Sequence, residues 1–194
     1  MPPRLILCRH GSTKFNGKGI ASADRIRGWI DVPLDREGEE QAVELTNRLK
    51  GEEIAEIHSS PLVRAEETAE RIADAHWLKV RPDRGLMPWN VGELAGQPTE
   101  EVLPKMVAME KNGKAPKGGE PFDEFRKRYL RTLVKLLERA KRAGTICAVT
   151  HTRNFQVTKA WLAADRPEDL SVDDAVMNDY SKEVGTGGIL EVRP

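Results

Sequence analysis

The sequence predicts an α/β fold, a three-layer sandwich with a mostly parallel central sheet and helices on both faces. Three observations carry that prediction. Leu5-Ile6-Leu7-Cys8 is a short, wholly apolar run of the kind that fills a strand buried on both sides. Thr145-Ile146-Cys147-Ala148-Val149-Thr150 is a second such run. Between them, strand-like and helix-like segments alternate, the pattern of a parallel sheet with crossover helices. A length of 194 residues suits one domain with one sizeable core. That domain is taken as residues 1–194, with a loop-and-helix lid region around 86–120.

The first strand ends in Arg9-His10-Gly11, where glycine lets the backbone turn sharply or approach a ligand. Ser12 to Trp29 is polar and glycine-rich and is expected to be a long loop, with Arg25 and Arg27 among its charged members. Gly28 to Asp35 leads into a helix with Asp35 as N-cap, an apolar stripe at Ala42, Leu45 and Leu49, and Gly51 to close it. Ile54 to His58 is the next strand. Ser60 then caps a helix with Pro61 in its first turn and Leu62, Ala65, Ala69, Ile72 and Ala73 on its buried face. Leu78 to Val80 is expected as a third strand, and Leu86 to Gly96 as a structured loop. Thr99 caps a helix running to about Glu110, and Lys111 to Pro121 is a Lys/Gly/Pro-rich connection placed to act as a lid. Phe122, Phe125, Tyr129, Leu133, Leu136 and Leu137 recur at helical spacing in a long core helix. Thr152 to Ala163 is helical, and Gly188 to Val192 is a last strand.

Thirty-one basic residues balance thirty-one acidic ones. That zero net charge speaks against general nucleic-acid or membrane-surface binding, which draws on a basic excess. No apolar stretch reaches the length of a membrane helix, and the start of the chain lacks the pattern of an export signal. Cys8 and Cys147, the two cysteines, both fall in strand-like runs and are expected as buried thiols of a cytoplasmic protein. No Cys/His cluster has zinc-like spacing, so neither metal nor other cofactor is expected.

Ligands of open α/β sheets bind outside the carboxyl ends of the strands. Arg9 and His10 stand at such an end, and His151 stands at the end of the second buried strand. Arg64 lies in the first turn of a helix, beside orphan N–H groups and the positive end of the helix dipole. Each has an ordinary alternative: a strand end meeting solvent, or an arginine pairing with Glu67 or Thr68. If the strands are neighbours, however, Arg9, His10, Arg64 and His151 converge on one pocket suited to a tetrahedral dianion. There a histidine nitrogen can attack phosphorus while arginine forks hold the oxygens.

These residues and their neighbours resemble the histidine phosphatase superfamily, also called phosphoglycerate mutase-like. The resemblance covers most of the chain. It rests on the ordered blocks Leu7-Cys8-Arg9-His10-Gly11, then Thr13 and Asn16, then Gly28, Asp31, Pro33, Leu34 and Gly38. Ser59-Ser60-Pro61-Leu62-Val63-Arg64-Ala65 with Thr68-Ala69 follows, then Gly118-Gly119-Glu120, then Val149-Thr150-His151. The resemblance implies a phosphoglycerate mutase-like fold. It implies that His10 is the nucleophile that becomes phosphorylated, and that Arg9, Arg64 and His151 hold the phosphoryl group. Thr13, Asn16 and Thr152 become substrate-binding positions.

Two departures from the family pattern matter. Members with a general acid carry a glutamate shortly before a Gly-x-x-x-Gly turn; aligning Gly92 and Gly96 with that turn puts Pro88 at the acid position. Glu93 is the nearest replacement, a solvent-facing loop glutamate its alternative, and Asp24 and Asp31 are further candidates. Thr152 stands where many members have glycine. The expected activity is a metal-independent phosphatase, a phosphoric monoester hydrolase, acting on a small phosphorylated molecule or a phosphoprotein. The alternatives are a phosphohistidine or acyl-phosphate phosphatase that needs no acid, and a phosphate-ligand binding protein with little turnover. A glycolytic mutase ranks below these, since the chain lacks the longer insertions the resemblance would lead one to expect.

Overall fold

Leu5–Arg9 forms strand β1, buried at every residue, in a five-stranded sheet. The structure, a computed structural model, describes residues 2–16, 24–177 and 184–194. The middle of the long loop expected over Ser12–Trp29 therefore lies outside the described residues. After β1 come α1 (Arg36–Leu49), β2 (Ile54–Ser59), α2 (Val63–His76), β3 (Val80–Pro82) and two short 3-10 turns at Arg84–Leu86 and Gly92–Leu94. Then follow α3 (Thr99–Asn112), α4 (Phe122–Ala143), β4 (Thr145–Thr150), α5 (Thr152–Ala163), the one-turn α6 (Asp174–Met177) and β5 (Ile189–Val192).

The strand order is β3-β2-β4-β1-β5, with every neighbour parallel except the β1–β5 pair. Side chains of successive strand residues point to opposite faces, so β1 feeds two cores. Leu5 and Leu7, with Ile146 and Ala148 of β4, pack against α3, α4, α5 and the Leu86–Leu94 segment. Ile6 and Cys8, with Cys147 and Val149, pack against α1 and α2. This is the three-layer arrangement that the alternating pattern predicts.

Several boundaries differ from the sequence expectation. The third strand lies at Val80–Pro82 and not at Leu78–Val80, because the chain is still closing α2 there: Trp77 is left-handed (φ 56°) and the Leu78 N–H bonds the Ala73 carbonyl at 3.0 Å. As an edge strand, β3 tolerates Pro82. Helix α2 starts at Val63, not at Ser60-Pro61. Its first free N–H, that of Val63, is capped by the Asp31 carboxylate at 2.7 Å, while the Ser60 hydroxyl is engaged with His151 at 2.8 Å. Thr99 is the first residue of α3 and not its cap, with its N–H bonded to the Asp24 carbonyl at 2.9 Å. Asp35 does cap α1, accepting from the Gly38 N–H at 2.8 Å.

The turn after β1 is held by close backbone approach. A Cβ on Gly11 would lie 2.4 Å from the Gly38 carbonyl oxygen, and one on Gly38 would lie 2.0 Å from the Ser12 oxygen. Only hydrogen fits at either position. The residues that follow His10 are thereby pressed onto the start of α1.

Candidate active site

The strand order makes neighbours of β2, β4 and β1, and their carboxyl ends deliver Ser60, His151 and His10 to one place. The imidazoles of His10 and His151 lie 5.0 Å apart, tilted by 59°. Both are buried. A cavity of about 520 Å³ opens above them, lined at that end by Arg9, His10, Asn16, Arg27, Arg64, His151 and Thr152. Four separated segments, the β1 end, the 24–28 loop, α2 and the β4–α5 junction, thus contribute to one surface.

His10 Nδ1 lies 2.7 Å from the Gly11 carbonyl oxygen. A carbonyl only accepts, so Nδ1 carries the proton and Nε2 keeps its lone pair. Burial, then the charges of Arg64, Arg27 and Arg9, hold the His10 pKa well below the usual histidine range. The ring is therefore neutral at neutral pH, with the Nε2 lone pair free of a proton. Burial lowers the His151 pKa in the same way, reinforced by Arg64, His10, Arg27 and Arg9. Nε2 of His151 pairs with the Ser60 hydroxyl, and its Nδ1 is buried without a partner among the described residues.

Arg64 is almost wholly buried. Its fork donates to the carbonyls of Ile30 at 2.9 Å and Gly28 at 3.0 Å, which fixes the guanidinium plane. Burial and the neighbouring Arg27 push its pKa down to about 9; it remains charged at neutral pH. Arg9 is anchored to the Val184 carbonyl. Thr13 is fully buried: its N–H donates to the Asn16 side-chain oxygen at 3.0 Å, and its hydroxyl accepts from Arg27 at 3.3 Å. Thr13 therefore organises Asn16 and Arg27 and does not itself line the cavity. Thr152 lines it at the start of α5.

The carboxylates separate. Glu93 sits exposed on the second 3-10 turn and does not line the cavity, whereas Pro88 does. The Gly92–Leu94 turn is fastened from the other side: the Glu93 N–H bonds the Lys117 carbonyl at 3.0 Å, and a Cβ on Gly92 would lie 2.1 Å from that oxygen. This contact fixes the backbone of the turn, and Glu93 on it is exposed and outside the cavity wall. Asp31 is occupied as the cap of α2. Asp24 is, among the described residues, the one carboxylate lining the cavity.

Sequence reasoning passed over Arg27 as a site residue, although it stands directly before the Gly28–Asp31 block. It also passed over Ser60 as a partner of His151, and over the far wall made by Ile26, Val91, Leu103 and Met106. No local signal marks that wall, because its members look like ordinary core residues. Among the described residues, no group of three or more His, Cys, Asp or Glu side chains is placed to hold a metal ion. No helix there is long and apolar enough to cross a membrane.

The probable phosphoglycerate mutase GpmB of Yersinia enterocolitica is 34% identical over 142 residues, which cover 70% of this chain and 63% of that protein. The chain thus spans less than two-thirds of that relative's length. The 2,3-bisphosphoglycerate-dependent phosphoglycerate mutase of Thermoplasma acidophilum is 30% identical over 185 residues, covering 93% of this chain and 88% of that protein. Among solved structures, Bacillus stearothermophilus YhfR superposes with a TM-score of 0.78 at 26% identity, over 98% of this chain and 90% of that one. A mycobacterial glucosyl-3-phosphoglycerate phosphatase complexed with VO3 shares the fold, with a TM-score of 0.77 at 23% identity over 97% and 90% of the two chains. Residues 5–177 match the family model of the histidine phosphatase superfamily, branch 1, and the chain belongs to that superfamily.

Proposed function

We propose that the chain is a metal-independent phosphatase that works through a phosphohistidine intermediate on a small phosphorylated substrate. The observation that supports this most is the His10 ring. Its Nδ1 proton is tied to the Gly11 carbonyl, so its Nε2 lone pair is left to attack in a cavity lined by Arg9, Arg27, Arg64 and His151. In the first step Nε2 forms a bond to phosphorus as the bond to the leaving oxygen breaks, and that oxygen takes a proton. In the second step water attacks phosphorus, the P–N bond breaks, and inorganic phosphate leaves. The arginines offset the charge on the equatorial oxygens in both steps. A dianion bound between the two imidazoles also favours the protonated form of His151, which then donates to phosphate.

In this reading, residues 86–120 cover the leaving-group end of the cavity, to which they contribute Pro88, Trp89, Val91, Thr99, Leu103 and Met106. Pro88 in the wall and the exposed Glu93 favour a second reading, a phosphatase of phosphohistidine or acyl phosphates, whose leaving groups need no proton. Among the described residues, Asp24 is the one carboxyl group in the cavity wall that could serve the first reading.

Turnover of 4-nitrophenyl phosphate with and without a chelator tests the first reading; dependence on a divalent ion contradicts it. His10→Ala should abolish acid-labile phosphoenzyme while retaining affinity for vanadate. Wild-type turnover by that variant removes His10 as nucleophile. Replacing Glu93 by Gln and Asp24 by Asn in turn locates the acid. Loss of the true donor slows alkyl phosphates by ~10²-fold or more and leaves 4-nitrophenyl phosphate nearly untouched. If alkyl esters are not turned over and phosphohistidine is, the second reading holds. Tight phosphate binding without turnover of any substrate leaves a binding protein, and interconversion of phosphoglycerates leaves a mutase.

A further inference from the structure

The two halves of the cavity differ in charge. At the histidine end, Arg9, Arg27 and Arg64 face neutral imidazoles and no carboxylate lines the wall, so this half suits a phosphate dianion. At the far end the lining charges Asp24, Arg25 and Arg153 are balanced once Glu110, the partner of Arg153 behind the wall, is counted. Arg25, whose guanidinium donates to the Gly96 carbonyl at 2.8 Å, shares the wall with Asp24. Arg153 is ion-paired to Glu110, both side chains being about nine-tenths buried, and its guanidinium lies 5.1 Å from the centre of the Phe122 ring. Around these offset charges the surface is apolar, formed by Ile26, Val91, Leu103 and Met106.

A void of about 520 Å³ falls within the ~300–1,000 Å³ of sites that enclose a whole drug-sized molecule. A phosphoryl group occupies only a few water volumes of about 30 Å³ each. Most of the space therefore belongs to the leaving group, and its surroundings are apolar and carry no net charge.

Resting on the phosphatase reading, we propose that the far half selects a carbon-rich leaving group, a phenol or alcohol with a sizeable apolar body. In this proposal Leu103 and Met106 of α3 are specificity-determining residues. A second anionic group on the substrate gains little there, since Arg153 is already held by the Glu110 carboxylate and the Arg25 guanidinium is turned to the Gly96 carbonyl. Burying the apolar body against α3 adds binding energy at about 0.8 kcal/mol per methylene, which converts to roughly fourfold per carbon.

The test keeps leaving-group chemistry constant and varies only size. Within the pairs phenyl and naphthyl phosphate, and methyl and hexyl phosphate, kcat/KM should rise at least tenfold with size. Glycerol phosphate and phosphoglycerate should fall below hexyl phosphate. Leu103 is half-buried and outside the main core, so Leu103→Ser leaves the fold intact; it should reduce the size preference about tenfold while inhibition by inorganic phosphate is unchanged. Lys105→Ala, exposed on the same helix, should change neither. The same pairs are compared by calorimetry with the His10→Asn chain, where affinity for naphthyl phosphate should exceed that for phenyl phosphate. A flat size series in both kinetics and affinity, or a preference for phosphoglycerate, overturns the proposal and leaves the phosphatase reading standing. Absence of turnover with the affinity preference intact removes the phosphatase reading and keeps the specificity.

Discussion

Two buried imidazoles 5.0 Å apart, with arginine charges around them, set the pH behaviour at the residue scale. Both have pKa values well below the ordinary 6.5 in the folded state. Below pH 6.5 the unfolded chain binds protons that the folded chain refuses, so stability is complete above that pH and falls as the pH drops. The slope approaches about 1.4 kcal/mol per pH unit for each histidine. Denaturant unfolding between pH 7 and pH 5 should show this decline, and the double variant His10→Asn with His151→Asn should flatten it. Once kcat/KM is corrected for the second ionisation of the phosphate ester, at about pH 6, the acid limb left to His10 should lie below pH 6.5. A limb centred at or above 6.5 would mean that His10 is not the group titrating. Gly38 is the other decisive residue at this scale. A Cβ there would sit 2.0 Å from a backbone oxygen that has no rotamer to give way. Gly38→Ala should therefore cost at least about 2 kcal/mol, read as a lowered denaturation midpoint at unchanged slope.

At the scale of elements, α2 begins where a distant side chain lets it. Asp31 caps Val63 from across the 28–34 turn, while the two Arg64 bonds to Gly28 and Ile30 close the same junction from the helix side. Asp31→Ala should cost about 1 kcal/mol, as the loss of a cap does. It should also weaken phosphate binding, because Arg64 loses a fixed partner turn. A stability loss with unchanged phosphate affinity would separate the two roles. The wall containing Pro88 is held by Arg128 of α4. Its guanidinium donates to the carbonyls of Arg84 at 3.1 Å, Met87 at 3.3 Å and Pro88 at 3.2 Å, and to the Glu120 carboxylate at 2.7 Å. Glu120 in turn accepts from the Asn90 N–H at 3.0 Å. Arg128→Met removes these bonds and should destabilise the protein by about 2 kcal/mol or more. KM for large esters should rise, and inhibition by inorganic phosphate should stay the same.

For the whole molecule, the sheet order is what creates the site. Because β4 returns between β2 and β1, the ends of three strands far apart in sequence become adjacent. The same insertion brings Cys8 and Cys147 together, with their sulfurs 3.7 Å apart and both side chains inaccessible. Their neighbourhood and burial push the Cys8 thiol up, away from the reactive thiolate. A thiol reagent should therefore label neither cysteine in the native protein and both in denaturant. Fast labelling of the native chain would mean that the sheet opens locally.

The sequence by itself determined the layers and the family. The short apolar runs of β1 and β4 fit strands buried on both faces, and the stripe of α4 fits a helix packed on a core. Arg9, His10, Arg64 and His151 were legible because each ends a strand or starts a helix, and a sheet sends such positions to one rim. The tertiary structure decided what depends on partners distant in the chain. Local rules make Ser60 a helix cap, but its hydroxyl turns to His151, and Asp31 takes over the cap. The family pattern makes Thr13 a ligand contact, but the residue is buried and bonded to Asn16 and Arg27. Glu93 is exposed, on a turn whose backbone is bonded to Lys117, a residue more than twenty positions away. The far wall of the cavity exists only where α3 meets the 26–28 loop and the Pro88–Val91 segment. Periodicity reports whether a side chain is buried; whether it is buried against a core or against an open cavity depends on which elements the fold brings to face it.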